Sequence, residues 1–313
     1  MPMVSIVLPT HNRAHLLGEA MASVLAQTFP DWELIVVDDG STDRTREIVA
    51  AYAARDRRIS YVAQANGGDA AARNTGIRRA KGRLIAFLDD DDLWQPEKLQ
   101  RQIALLNANP RLGFVYCPML VQHPDGHRQG TKPARRWPDT WEALLAHSFI
   151  PMTTLVRREC FDVCGVFDES LRRACDYDLW VRITRRFAFQ GTDEALAIVR
   201  VHGANMTRGA QSRQHQAHVG TLKKLLRDAD LSARHRQILL GRLTKELHWL
   251  GKTSVQEGQG RQAFWAFLEE IRTNPLAGRE FITASDAWPQ RVGKLLKPYL
   301  AVGYAFLGAV AKP

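Results

Sequence analysis

The chain has 313 residues, 45% of them hydrophobic and 24% charged, with a net charge of +10. That balance is that of an ordinary globular protein, with material for one large α/β domain and a smaller appendage, and it excludes a disordered or fibrous chain. Four cysteines, Cys117, Cys160, Cys164 and Cys175, form no CxxC pair and no metal-finger spacing, which fits a reducing compartment.

The N-terminus runs almost directly into an apolar strand, without a basic region or cleavage site, so no signal peptide is expected. No apolar run reaches the roughly 18 residues that a membrane span needs. The nearest approach, 298–311, follows Arg291, Lys294 and Lys297. It reads as a terminal helix docked on the protein's own core, with a helix lying in a membrane interface as the alternative.

Taken in order, 4–8 reads as a short strand, 9–13 as its exit loop, and Leu17, Met21, Val24 and Leu25 fall at helical spacing. Strand 34–37, the turn 38–41 and a helix to Ala54 follow. Strand 59–62 leads through Asn66-Gly67-Gly68 to a helix over 70–80. Five apolar residues, 84–88, then read as a buried strand that delivers Asp89, Asp90, Asp91 and Asp92 to the carboxyl edge of a sheet. Leu99, Ile103 and Leu106 mark the next helix. This alternation predicts an α/β fold with a mainly parallel sheet and helices on both faces. Ligands bind such sheets at the carboxyl ends of the strands.

Four adjacent carboxylates repel one another, and hard oxygen ligands of this kind point to Mg²⁺ or Mn²⁺ bridging to a diphosphate. The competing reading is a solvated acidic turn capping the helix near Pro96, with Asp92 as the cap. There is no G-x-G-x-x-G after the first strand and no Walker lysine loop, which argues against dehydrogenases and P-loop enzymes.

Further along, 114–121 reads as a strand, 122–141 as a long loop facing solvent or an acceptor, and 152–156 as another strand before a short helix. The apolar run 196–201 places His202 at the end of a strand. From Arg200 to Lys252 the chain carries eleven Lys and Arg against three Asp and Glu, most of the net charge. Leu222, Leu225 and Leu226, then Ile238, Leu239, Leu243, Leu247 and Leu250, predict two basic amphipathic helices.

VSIVLPTHNR at 4–13, VVDDGSTD at 36–43, ARNTG at 72–76 and FLDDDD at 87–92 together resemble the family 2 inverting glycosyltransferases of the GT-A fold. The resemblance continues through GVFDE at 165–169, DYDLWVR at 176–182 and VHGANM at 201–206, covering about two thirds of the chain. It implies a GT-A domain over 1–210 and leaves 211–313 as a helical, basic extension. It also implies that Pro9 and Thr10 line a nucleotide base pocket, that Asp39 accepts a hydrogen bond from the base, and that Arg73 holds an anion or a carboxylate. Asp90 would reach the ribose. The metal motif falls on Asp89 and Asp91, with His202 as a third ligand or diphosphate contact.

Inverting transfer needs a carboxylate to take the acceptor's proton, and the resemblance places it at Asp176. Many members carry Glu-Asp where this chain has Cys175-Asp176, which keeps the base and alters its neighbour. Cys175 reads as a buried thiol, Asp178 as a structural cap or pair, and Trp180 as core.

The expected protein is thus a metal-dependent glycosyltransferase. It takes a UDP-, dTDP- or GDP-linked donor and a glycan or lipid-linked acceptor, in cell-surface polysaccharide or glycolipid synthesis. Its expected place is the cytoplasm or, peripherally, the inner face of the plasma membrane, with an anionic membrane surface rather than nucleic acid as partner. The alternatives are a non-catalytic nucleotide-sugar-binding scaffold and a sugar nucleotidyltransferase.

Overall fold

A computed structural model describes residues 1–132, 137–171, 173–203 and 211–274. Two compact units make up the chain, one of 1–144 with 148–202 and one of 145–147 with 203–313.

The first unit opens with β1 (Val4–Thr10), α1 (Ala14–Leu25), β2 (Trp32–Asp38), α2 (Thr45–Ala53), β3 (Ile59–Ala63), α3 (Asp69–Arg79) and β4 (Leu84–Phe87). Next come β5 (Asp92–Trp94), α4 (Lys98–Ala108), β6 (Leu112–Tyr116), β7 (Met119–Gln122) and β8 (Arg128–Lys132). The short helix α5 (Trp141–Ala146) precedes β9 (Leu155–Arg157), α6 (Arg158–Cys164), α7 (Cys175–Thr184), β10 (Ala188–Gly191) and β11 (Ala197–Arg200). Seven strands form one sheet in the order β10-β6-β9-β4-β1-β2-β3, and four form a second in the order β5-β11-β7-β8. Among the described strands of the large sheet, only β9 runs against its neighbours, β4 and β6. The fold is therefore mixed α/β with a mostly parallel central sheet, as the alternation of strand and helix predicts.

All seven residues of β1 are buried, because β2 and β4 flank it and helices cover both its faces. Val4, Ile6 and Leu8 share a core with Leu17 and Met21 of α1 and Leu99 of α4. Val7 points the other way, where α3 comes so close that a Cβ on Gly76 would stand 2.2 Å from Val7 Cγ1. A fully buried aliphatic side chain of this kind contributes about 1.5–3 kcal/mol. The period of two along β1 thus fixes which helix lies on which face.

Four local expectations are corrected. The strand expected over 114–121 is two strands in different sheets, β6 and β7, because Pro118 has no N–H for a ladder and restrains Cys117 before it. The loop expected over 122–141 contains β8, which pairs with β7 across a turn where Gly126 takes φ +83°. The strand expected at 152–156 begins only at Leu155. Asp92 caps no helix: it opens β5, and α4 starts at Lys98 after Glu97.

The second unit holds α8 (Gln211–Leu226), α9 (Ala233–Gln256) and α10 (Gly260–Thr273). Ser232 caps α9 by accepting the His235 N–H at 3.2 Å. Leu239, Leu243, Leu247 and Leu250 are its buried stripe, as their spacing predicts. The third helix falls within the helical extension expected over 211–313, and its buried face is Ala263, Ala266, Phe267 and Glu270. Among the described residues no helix is long and apolar enough to cross a membrane. The segment 298–311, with Asn205 and Met206, lies outside the described residues.

Candidate active site

Leu88 still pairs with the central sheet, its N–H donating to Val7 O at 3.1 Å. The chain then turns, with Asp92 N donating to Asp89 O at 3.0 Å, and enters the second sheet at β5. The four aspartates thus occupy the passage between sheets, at the carboxyl end of β4.

Each carboxylate has a different environment. Asp89 Oδ1 accepts from Arg73 Nη2 at 2.7 Å. Asp90 Oδ1 and Asp91 Oδ2 share Arg13 Nη1, at 2.9 and 2.8 Å. Asp91 Oδ2 also lies 3.1 Å from His202 Nε2. Asp92 Oδ1 is buried and meets no hydrogen-bond donor among the described residues. Oxygens of Asp89, Asp91 and Asp92 come within 4.8 Å of one another.

Burial makes this negative charge costly. It pushes the Asp90 carboxyl up to about 6, against the pull of Arg13. Burial, then the charges of Asp89 and Asp91, raise Asp92 well above the usual carboxylate range. Asp89 is raised too, by burial, although Arg73 draws it down. Hard oxygens crowded together with an unsatisfied one among them fit a divalent cation.

The residues expected to bind a donor gather at neighbouring strand ends. Pro9 and Thr10 close β1, buried, opposite Val37 and Asp38 of β2. Asp39 follows at once; its carboxylate accepts from the Gly67 and Gly68 N–H groups, each at 2.8 Å, and from Gln64 Nε2 at 2.7 Å. It therefore ties the loop after β3 to the end of β2. Arg73, on α3, is enclosed and directed at Asp89, so it holds a carboxylate of the protein itself.

Asp176 stands in the first turn of α7, half-buried, with its Oδ1 accepting from Tyr177 N at 2.8 Å. Its neighbour Cys175 lies within electrostatic reach of Arg73 and Asp69, which brings this end of α7 toward the Arg73–Asp89 pair. Burial pushes the Cys175 thiol up to about 12, which makes it inert as a nucleophile. Asp178 is fully buried and pairs with Arg182 at 2.9 Å. Trp180 packs on Phe114 and Phe167 in the core.

The family model for glycosyl transferase family 2 matches residues 5–165. A glycosyltransferase of Rickettsia prowazekii is 35% identical over 237 residues, 72% of this chain and 74% of its own length. This chain belongs to glycosyl transferase family 2. A Bacillus subtilis glycosyltransferase named for teichuronic acid biosynthesis, TuaG, is 44% identical over 64% of this chain and 79% of its own. Three further Rickettsia relatives are much longer, and the chain spans only 38%, 33% and 34% of them.

Two solved structures agree on the fold. Staphylococcus aureus TarS 1–349 in complex with UDP-GlcNAc superposes with a TM-score of 0.72 at 20% identity, over 98% of this chain and 92% of its own. A mannosyltransferase of Pyrobaculum calidifontis, in complex with GDP-Man and Mn²⁺, gives 0.63 at 21% identity, over 99% and 86%.

For this family 2 chain, sequence reasoning named Asp89, Asp91 and His202 as a cation set, and the structure brings Asp92 into the same cluster. It did not single out Arg13 or Arg200. The signal for Arg13 was present: it closes the first motif, three residues after a strand whose neighbour in the sheet ends in four aspartates. Arg200 sits inside an apolar run and had none.

Proposed function

We propose that the protein transfers a sugar from a nucleoside diphosphate donor to an acceptor hydroxyl with inversion of configuration. The observation that carries this reading is the convergence of Asp89, Asp91 and Asp92, with Asp92 Oδ1 buried and unsatisfied. These three carboxylates would hold Mn²⁺ or Mg²⁺, with His202 beside them. When bound, the cation neutralises charge on the departing diphosphate.

The remaining roles fall to the chain's own side chains. Pro9, Thr10 and Asp39 line the base end of the donor site, and Asp90 faces its ribose. Arg73 acts indirectly by holding Asp89 in place. The Asp176 carboxylate takes the proton from the acceptor hydroxyl as its oxygen bonds to the anomeric carbon. The bond from that carbon to the diphosphate breaks on the opposite face. Of the two carboxylates in that turn, Asp178 is buried and paired with Arg182, which favours Asp176 for this role.

UDP-GlcNAc on TarS and GDP-Man with Mn²⁺ on the Pyrobaculum enzyme support a nucleotide-sugar donor, and the name of TuaG supports a cell-surface polysaccharide. For the acceptor we favour a glycan or lipid-linked hydroxyl presented at an anionic membrane surface. A stripe on α10 suits such a surface: Arg261, Trp265, Leu268 and Arg272 recur at helical spacing, and Trp265 is 59% exposed.

The test is calorimetric binding of UDP, GDP and dTDP, with and without Mn²⁺, to the wild type, Asp91→Ala and Asp176→Asn. Metal-dependent binding of one nucleotide, lost in Asp91→Ala and kept in Asp176→Asn while turnover disappears, is the expected pattern. Binding that ignores both Mn²⁺ and Asp91 would sink it.

A further inference from the structure

Arg200 ends β11 and is almost wholly enclosed. Its guanidinium makes an unusual choice of partners beside four carboxylates: it binds their main chain. Nε donates to Asp91 O at 2.6 Å, and Nη2 donates to Asp90 O at 3.2 Å and to Leu16 O at 3.1 Å. Nη1 reaches Glu19 Oε2 on α1 at 2.9 Å. Its own backbone N–H also faces the Asp92 carboxylate. The antiparallel pairing of β11 with β5, Val199 opposite Asp92, sets Arg200 against the turn.

Arg13 behaves differently. Its guanidinium occupies carboxylate oxygens, including Asp91 Oδ2, and so stands where a cation would draw ligands. The Arg200 guanidinium places a positive charge under the same turn, and its hydrogen bonds to the turn among the described residues go to the Asp90 and Asp91 carbonyl oxygens, so those bonds take none of the cation's ligand oxygens. A planar fork with several fixed donors can hold the Asp90, Asp91 and Leu16 carbonyls at once, which a single ammonium does not reproduce.

The geometry points to Arg200 as the positioning residue of the cation site: it fixes the backbone of the Asp89–Asp92 turn against α1 so that the three carboxylates converge. This rests on the reading of that cluster as a divalent-metal site.

The test is Mn²⁺ affinity, by calorimetry or by the signal of free Mn²⁺ in electron paramagnetic resonance, with Mn²⁺ alone and with UDP present. Wild type, Arg200→Lys, Arg200→Met and Arg13→Ala are compared, with thermal unfolding in chelator as a check on folding. Residues that orient ligands without touching the metal typically contribute 10–100-fold in affinity, so Arg200→Met should lose about that much. Arg200→Lys, which keeps the charge and loses the fork, should fold and still bind at least several-fold more weakly. Arg13→Ala should bind bare Mn²⁺ as tightly as wild type or more so.

If folded Arg200→Lys and Arg200→Met both hold Mn²⁺ as the wild type does, the assignment to Arg200 is wrong and the metal site stands. Should Arg200→Met not fold, Arg200→Lys alone decides. A wild type that binds no Mn²⁺, with or without UDP, overturns the metal reading and this inference together.

Discussion

Arg73 Nη2 donates to Asp89 Oδ1 at 2.7 Å from a guanidinium whose side chain is only 6% exposed. An ion pair this enclosed is costly to break on one side, because the surviving charge has lost its water and gained nothing. Asp89 retains some contact with solvent, which tempers the penalty. Arg73→Met should therefore destabilise the protein by about 2–4 kcal/mol, short of the full figure for a buried pair. Adding Asp89→Asn to that variant should restore part of the loss. Denaturant unfolding of the two single variants and the double variant measures this, and equal costs with and without Asp89 would show that the pair is not the source.

Gly82 offers a sharper steric test. A Cβ there would stand 2.6 Å from Ser5 N and 2.8 Å from Val4 C, both backbone atoms at the start of β1. The same region is held by Ser5 Oγ, which accepts the Gly82 N–H at 2.7 Å. Neither neighbour can swing away as a side chain would, so Gly82→Ala should cost about 1–3 kcal/mol. Gly220, where a Cβ meets nothing within 4 Å among the described residues, is the control. Gly220→Ala in α8 should instead be neutral or stabilising by up to about 1 kcal/mol.

The helical unit carries a pH dependence of its own. Burial acts to raise the Glu246 carboxyl, but hydrogen bonds from His215 and His218 and the charge of Arg242 overcome it and hold the group well below its usual range. The histidines contact it at 2.8 and 3.2 Å. A depressed carboxylate contributes stability that is present above its unfolded value, about 4.3, and is lost as pH falls through the folded one. Glu246→Gln should thus be less stable than wild type at pH 7 by about 1–3 kcal/mol, with the gap closing below about pH 4. Unfolding curves at pH 7, 5 and 3.5 read it directly; a gap unchanged at pH 3.5 would rule out the charge as its origin.

Much of this was visible in the sequence because strand and helix periods leave unambiguous marks. Val4, Ile6 and Leu8 alternate as a central strand must, and the acidic run after Phe87 and Leu88 announces a strand end with an electrostatic burden. Tertiary relations between distant polar groups leave no such mark. Nothing near Arg200 in the chain says that it will reach Asp90 and Asp91 more than a hundred residues away. Asp92 misled for a related reason: a carboxylate shortly before a proline and a helix looks like a cap, and only the pairing of β5 with β11 shows that it belongs to a second sheet. The helix α10 is amphipathic in its own right, but its contact is made by Ala263, Ala266 and Phe267 rather than by the leucines that mark α8 and α9.

The entry to α7 holds the remaining prediction. Ala174 takes φ +56° and ψ +19°, a left-handed conformation that costs a residue with a Cβ about 1–2 kcal/mol. Glycine would avoid that cost, though its freer unfolded chain returns about 0.5–1 kcal/mol of the gain. Ala174→Gly should therefore stabilise the protein by up to about 1 kcal/mol, whereas Ala174→Val, branched at Cβ, should destabilise it. The residue sits two positions before Asp176, so a stiff, strained entry that aims the first turn of α7 would make the effects on stability and turnover diverge. In Ala174→Gly the expectation is higher stability, unchanged nucleotide affinity and a several-fold lower kcat. If kcat holds while stability rises, the left-handed alanine is only a tolerated turn residue, and the aim of Asp176 is set by the packing of Tyr177, Leu179 and Trp180 behind it.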